Sequence, residues 1–309
     1  MNIADIRSRQ EAIEMIKFHF KNSLSSKLKL LRISAPHFIE SGKGLQDGLT
    51  GIEQPVGFYI PAANKHVEVP HSLAKWKREA IQKYNIQQGE GIIVDGAYFR
   101  PEEPELDATH SVFVDQWDWE IAMAEGQRNQ KYLEKVVAQI HEAMLETQEE
   151  LLRAFPKLDR NIDEKLKFVT MREMGNMTEK DLVKQHPFVF IRGIDEPRAP
   201  DYDSWIDELN GDIVAYHPPI DGELELSSMG IRVNSDTLLQ QCNIKGMNPD
   251  QEYHKRVLKN ELPQTIGGGI GQSRLAMLIL GARHIGEVQA SVHSDETNKW
   301  AEREGIALL

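Results

Sequence analysis

The stretch GIIVDGAYFRPEEPELDATHSVFVDQWDWE, residues 91–120, holds two strand-like runs with no helical pattern between them. GIIVDGAYF (91–99) and HSVFVDQWDW (110–119) are rich in β-branched and aromatic residues, and the ten residues that join them are acidic and contain proline. Working outward, the same thing recurs: DIVAY (212–216) and ELELSSMGIRV (223–233) follow one another directly. Strands that succeed each other without an intervening helix favour a mainly antiparallel sheet with helices packed on it, an α+β fold, over a doubly wound parallel one. Further strands are expected at LKLLRIS, VGFYI (56–60), KFVTM and FVFIRG.

Helical spacing marks the flanking layer. Ile6, Ile13, Ile16 and Phe20 predict a helix over 5–24, and Val136, Val137, Ile140, Met144, Thr147, Leu151 and Phe155 a long amphipathic one over 135–155. Shorter helices are expected at 72–84, 249–260 and 272–281, and another after Thr178, which with Asp181 resembles a capping box. No repeat, low-complexity segment or linker cuts the chain, so residues 1–309 read as a single domain.

Composition excludes several classes of function. The 48 acidic and 36 basic side chains give a net charge of -12, which repels nucleic-acid phosphates. Cys242 stands alone, so no internal disulfide is possible, and no Cys/His set has zinc spacing; a reducing, cytoplasmic setting is expected. The N-terminal stretch mixes charges into its apolar positions and no run reaches spanning length, so neither a signal peptide nor a membrane partner is expected.

Three constellations carry candidate chemistry. IGGGIGQSRLAML (266–278) lacks the Lys-Ser/Thr of a phosphate loop and the βαβ setting of a dinucleotide fingerprint. Backbone without Cβ atoms, leading into a helix that bears Arg274, suits close approach of a nucleotide phosphate; a turn before a core helix has the same glycines. Arg100, at the end of the first strand of 91–120, can pair with a phosphate or carboxylate. Alternation on the second strand puts Gln116, Asp118 and Glu120 on one face and Phe113, Trp117 and Trp119 on the other, a pattern that also fits a half-solvated strand.

In DIVAYHPPIDGELELSS, a loop closing symmetrically about Pro218 and Pro219 sets Asp212 opposite Glu225, with Cβ atoms about 5 Å apart. Facing carboxylates need a cation, and Mg²⁺ bridging substrate phosphates is the usual one. A turn on Asp221-Gly222 would pair Asp212 with Ile231 instead, and Ser228 would reach the same metal as Glu225 only if the strand bulged. Elsewhere, His71, Lys75, Lys77 and Arg78 cluster near a helix start, where solvated lysines are usual although Lys77 could reach an anion. Asp47, Asp201 and Asp203 lie in turn-forming contexts.

Arg100 before its loop, the acidic strand, and the glycine run entering an arginine-bearing helix resemble motifs two and three of class II aminoacyl-tRNA synthetases. The phrases HSLAKWKR, THSVFVDQWDWE, APDYD, LNGDI, ELSSMGIRV and PQTIGGGIGQSRL resemble the ammonia-dependent asparagine synthetase family, aspartate-ammonia ligase, over nearly the whole chain. That resemblance implies a class II synthetase-like sheet flanked by helices, a homodimer, and synthesis of L-asparagine from L-aspartate, ATP and ammonia through a β-aspartyl-adenylate, releasing AMP and pyrophosphate. It implies that Arg100 binds the aspartate carboxylate and the α-phosphate, that Arg274 lies along the triphosphate, and that Asp212, Glu225 and Ser228 hold Mg²⁺ and nucleotide. Asp47 and Asp203 would face the substrate ammonium group, Lys77, Gln116 and Asp118 would complete the amino-acid pocket, and Gly267, Gly268 and Gly269 would make room for adenine and ribose.

With no cysteine nucleophile to release ammonia from glutamine, free ammonia is the expected nitrogen source. Where compared family members carry a longer Gly- and His-containing insert before RAPDYD, only Asp195, Glu196 and Pro197 intervene here. Two other readings keep part of the pattern: a relative of aspartyl- or asparaginyl-tRNA synthetase, for which neither length nor charge leaves an anticodon module or basic face, and a non-catalytic binder of aspartate or nucleotide, which would be expected to lack a motif arginine or acid.

Overall fold

A computed structural model describes residues 5–49, 53–102, 106–124, 126–195 and 198–309. The first helix, α1 (Ile6–Leu28), buries Ala12, Ile16, Phe20 and Leu24 at four-residue spacing, and the Asp5 side chain accepts from the Ser8 N–H at its start. Strand β1 (Leu30–Arg32) follows, and then β2 (Ile39–Glu40), β3 (Gly57–Ile60) and β4 (Lys65–Glu68) form a small antiparallel sheet in the order β2-β4-β3. Helix α2 (Ala74–Lys83) leads into β5 (Gly91–Phe99), which pairs antiparallel with β6 (Phe113–Ala122), as the helix-free connection predicts.

Beyond the long α3 (Gln130–Ala154) come β7 (Lys167–Thr170), α4 (Met171–Met174), α5 (Glu179–Gln185) and β8 (Phe188–Arg192). The hairpin β9 (Asn210–His217) and β10 (Gly222–Ile231) is followed by α6 (Ser235–Ile244) and α7 (Glu252–Leu258). Strand β11 (Thr265–Gly271) runs straight into α8 (Gln272–Leu280), and α9 (Asp295–Glu304) comes last. Among the described residues eight strands make one sheet in the order β1-β5-β6-β11-β10-β9-β8-β7; the two outermost pairs are parallel and all the others antiparallel.

Alternation divides β6 between two environments. Trp117, Trp119 and Ile121 point into a core closed by α1, α3 and α8, where the Phe20 and Trp117 rings lie 4.6 Å apart. On the other face, Asp118 and Glu120 are as buried as the tryptophans, at 2% and 0% exposure, beneath α2 and Arg232. That face is therefore not half-solvated. The cause lies outside the strand: Lys77 and Arg232, far away in sequence, supply the compensating charge. Lys75, Lys77 and Arg78 are for the same reason not solvated but 3%, 1% and 2% exposed.

The hairpin register also differs from the symmetric one. A tight turn over Pro218–Ile220, ended by Asp221 at φ 47°, pairs His217 with Gly222, so Glu225 opposes Val214 and Asp212 opposes Ser228. The Tyr216 hydroxyl donates to the Asp221 carboxylate at 2.8 Å and holds the left-handed turn, which places Asp212 opposite neither Glu225 nor Ile231. A bulge between Glu225 and Ser227 then turns the strand so that Glu225 and Ser228 reach one cavity, as a shared site requires.

Helices α6 and α9 fall outside the sequence expectations. Asn234 and Thr237 form the reciprocal cap of α6, a legible signal, whereas α9 buries only Ala301 and has no apolar stripe to read. At the helix after Thr178, the hydroxyl accepts from the Asp181 N–H as expected.

Candidate active site

The glycine run is a central strand, not a loop. Gly267 lies opposite Glu120, Gly268 opposite Trp119 and Gly269 opposite Asp118, and the strand's other neighbour sets Gly268 against Met229. A Cβ on Gly267 would stand 1.9 Å from the Glu120 carboxylate and 2.6 Å from the Arg232 guanidinium; one on Gly269 would meet the Gln116 amide at 2.4 Å. Side chains of β6 and β10 thus occupy the space above the glycines. Gly268 and Gly269 line a cavity of about 670 Å³, and Gly267 does not.

One group of side chains in and under this cavity is built on β6. The Lys77 ammonium donates to Asp118 at 2.8 Å and to the Gly268 carbonyl at 2.9 Å, locking α2 onto β11. The Tyr98 hydroxyl donates to the other Asp118 oxygen, and burial together with that carboxylate pushes the phenol well above its ordinary pKa. Arg232 forms a fork on Glu120 at 2.9 and 2.6 Å and also donates to Asp203. Burial pushes the Glu120 carboxyl up, but Arg232 and Lys77 outweigh it and hold the group below the usual glutamate range. Asp203 goes the other way, its burial outweighing Arg232 and Arg198. Asp47 accepts from the Ser72 hydroxyl at 2.5 Å and from the Leu49 N–H at 2.9 Å, so the turn brings it to the cavity wall.

A second group is cationic and acidic together. Arg198 donates to both oxygens of Asp212, at 2.6 and 2.5 Å, and to the Ser228 hydroxyl at 2.6 Å. Burial still raises the Asp212 carboxyl to about 7, with Glu225 adding repulsion against the opposing pull of Arg198. Glu179 is likewise raised, by its burial and then by Glu225 and Glu223. Arg274, in the first turn of α8, donates to the Glu225 carbonyl at 2.9 Å and to the Thr109 carbonyl at 3.4 Å, tying the β5–β6 loop to the hairpin. Among the described residues Arg100 reaches only the His71 carbonyl, at 3.4 Å, and its Nε is buried without a partner. A buried guanidinium donor left unmatched beside a cavity calls for an anion.

The cavity therefore brings together Asp47, Lys77, Arg100, Gln116, Asp118, Asp203, Asp212, Glu225, Ser228, Gly268, Gly269 and Arg274. Arg198, Arg232, Tyr98 and Glu179 were missed from the sequence. Arg232 had a signal, a charge between Ile231 and Val233 at the end of an apolar strand; Arg198 had none, since RAPDYD reads as a loop. Glu196 and Pro197, just before it, lie outside the described residues, as does part of the β5–β6 loop.

Asp212, Glu225 and Ser228 are oxygen donors of the kind magnesium takes, but Arg198 already holds both Asp212 oxygens and the Ser228 hydroxyl, so an ion there would have to share them with the guanidinium. Among the described residues no three His, Cys, Asp or Glu side chains converge as a cation cage.

The sequence profile of the family described as aspartate-ammonia ligase matches residues 7–305. The chain is 41% identical, over an alignment 325 positions long, to an aspartate-ammonia ligase of Clostridium tetani (strain Massachusetts / E88), covering 99% of this chain and 94% of that one. It is 41% identical over 327 to one of Bacillus cereus (strain B4264), covering 100% and 99%. Among solved structures, asparaginyl-tRNA synthetase from Pyrococcus horikoshii complexed with asparaginyl-adenylate is similar at a TM-score of 0.71 with 15% identity, over 94% of this chain and 70% of that one. Aspartyl-tRNA synthetase from Entamoeba histolytica is similar at 0.65 with 16% identity, over 93% and 58%. The fold is that of class II aminoacyl-tRNA synthetase catalytic units, a mixed sheet flanked by helices.

Proposed function

The chain belongs to the aspartate-ammonia ligase family, whose carbon–nitrogen ligase activity joins L-aspartate and ammonia into L-asparagine, and we propose that it drives this reaction with ATP through a β-aspartyl-adenylate, releasing AMP and pyrophosphate. The observation that carries the proposal is the cavity in which Arg100, with its unmatched Nε, and Arg274 share one space with the Lys77–Asp118 and Asp203–Arg232 networks.

A carboxylate resists attack by an amine because its oxygen is a poor leaving group. In the first step a side-chain oxygen of aspartate bonds to the α-phosphorus and the bridge to the β-phosphate breaks, freeing pyrophosphate. Both reactants are anions, so they must be held together against their repulsion. Arg100 binds the aspartate carboxylate and the α-phosphate, and Arg274 lies along the triphosphate, stabilising charge that grows on the oxygens in the transition state. Asp47 and Asp203 receive the substrate ammonium group, and Lys77, Gln116 and Asp118 fix the amino acid beside it. Asp212, Glu225 and Ser228 would hold magnesium, which would supply positive charge against the phosphates when bound. Gly268 and Gly269 border the cavity that takes the nucleotide, and the room left by the missing side chains of Gly267 and Gly269 is filled by the Glu120–Arg232 pair and by Gln116, so these glycines serve the site through those side chains. Ammonia then attacks the activated carbon, AMP leaves with the bonding pair, and the nitrogen loses a proton.

The enzyme is proposed to act as one catalytic unit over residues 1–309, as a cytoplasmic homodimer, without nucleic acid or membrane. The net charge of -12 supports the third point, and no described helix is long and apolar enough to cross a membrane. Sedimentation at micromolar concentration tests the dimer. The reaction is tested by incubating purified protein with aspartate, Mg-ATP and ammonium: equimolar AMP, pyrophosphate and asparagine are expected. Formation of ADP, or aminoacylation of added tRNA, would contradict the proposal.

A further inference from the structure

Both acids proposed above to hold magnesium already have an arginine. Arg198 places one nitrogen on the two oxygens of Asp212 and the other on the Ser228 hydroxyl. The strand register explains the fit: Asp212 on β9 and Ser228 on β10 are cross-strand partners, so one planar guanidinium spans the pair. Glu225 has Arg274, whose Nη1 lies 3.7 Å from its carboxylate while donating to its carbonyl at 2.9 Å.

The two pairs differ in how firmly they are made. Only 16% of the Arg198 side chain and 9% of that of Asp212 are exposed, and breaking such a pair leaves a buried charge unmatched. Arg274 and Glu225 are 22% and 44% exposed and stand farther apart, so water and salt weaken their attraction. Of the two arginines, Arg274 is the one a triphosphate in the same cavity can draw away.

We propose that Arg198 is the resident cation of the Asp212–Ser228 pair, so that the nucleotide-free protein has no divalent-ion site and ion binding is obligatorily linked to nucleotide. The inference rests on the reading of Asp212, Glu225 and Ser228 as the magnesium set and deepens it. A hard divalent cation needs oxygen lone pairs that face it and a surplus of negative charge. In the nucleotide-free protein Asp212 gives both oxygens to Arg198, and Arg274 offsets Glu225. A triphosphate changes both conditions: its oxygens are ligands, and its charge competes for Arg274 and so releases the Glu225 carboxylate. Linkage is reciprocal, so nucleotide and ion tighten each other by the same factor. Release of pyrophosphate removes the surplus charge, and the ion leaves with it.

Manganese, which takes the same oxygen ligands, serves as the probe because its electron paramagnetic resonance signal is lost on binding. Without nucleotide, Arg198→Met should bind one manganese ion at least about tenfold more tightly than wild type, since a neighbouring positive charge has gone. Adding Asp212→Asn to that variant should abolish the gain. Binding by exposed acids is common to all three proteins and cancels in the comparison. Wild type that binds manganese as tightly as Arg198→Met, a variant that gains nothing, or a gain that survives Asp212→Asn overturns the inference. If Arg198→Met does not fold, Arg198→Lys, which keeps a charge but cannot fork across both partners, must still bind manganese more tightly than wild type; equal affinity overturns the inference too. Ligation at saturating Mg-ATP that is indifferent to Asp212→Asn and Glu225→Gln together would refute the magnesium assignment itself, a separate outcome.

Discussion

Replacing Gly267 by alanine should unfold this protein more readily than the same change at Gly269, although the two lie two residues apart on one strand face. The added Cβ at 267 would stand 1.9 Å from a Glu120 oxygen and 2.6 Å from Arg232, and it must recede beyond 3.0 Å. Neither neighbour can give way cheaply: Glu120 is held by two Arg232 nitrogens and by the Thr265 hydroxyl at 2.6 Å, and Arg232 also holds Asp203. Breaking a buried pair of this kind costs about 3–5 kcal/mol. At roughly 2 °C per kcal/mol for a chain of this size, the melting temperature should fall by about 6–10 °C. At Gly269 the obstacle is the Gln116 amide, the far end of a flexible side chain, which can rotate aside. That variant should melt within about 2 °C of wild type, less than 1 kcal/mol of change, while KM for aspartate rises because Gln116 lines the cavity. Differential scanning calorimetry reads both. A Gly267→Ala protein as stable as Gly269→Ala would refute the account of the glycine run as room for the Glu120–Arg232 pair.

Arg274→Ala should fold normally, since the side chain is partly exposed, yet lose about two to three orders of magnitude in kcat; retained turnover would make the arginine structural. Glu120→Gln should reveal its effect through pH. The folded carboxyl lies below its ordinary value of 4.5, so its stabilisation is complete above that value and is lost as pH falls through the lower folded pKa. The gap in unfolding free energy between wild type and variant should therefore be wide at pH 7 and close in acid, as urea titrations at several pH values would show. Lys77→Met should free Asp118 and the Gly268 carbonyl from their shared donor, raising KM for aspartate more than KM for ATP in steady-state kinetics.

Much of the framework is legible in the sequence itself. Strands β5, β6, β9 and β10 announce themselves by alternation and by the lack of helices between them, and α1 and α3 by apolar spacing. The site was legible where a motif names its own residue, as at Arg100 and Arg274. What sequence could not give was partnership across distance. Lys77 and Asp118 are 41 positions apart, and Arg232 and Glu120 are 112, so each charge taken alone looks solvated. The hairpin register failed for a local reason: Pro218–Ile220 and the left-handed Asp221 form a turn that symmetric closure does not describe. The bulge beside Glu225 still brings that residue and Ser228 to one cavity, although the Asp212–Glu225 pairing that suggested them does not form.

The central claim is that aspartate is activated through its own side-chain oxygen on the α-phosphorus. Aspartate labelled with ¹⁸O in the β-carboxylate, incubated with ATP, magnesium and ammonium, should transfer one labelled oxygen to AMP for each asparagine formed, as mass spectrometry of the nucleotide would detect. Label appearing in phosphate or pyrophosphate, or AMP formed without label, would contradict it.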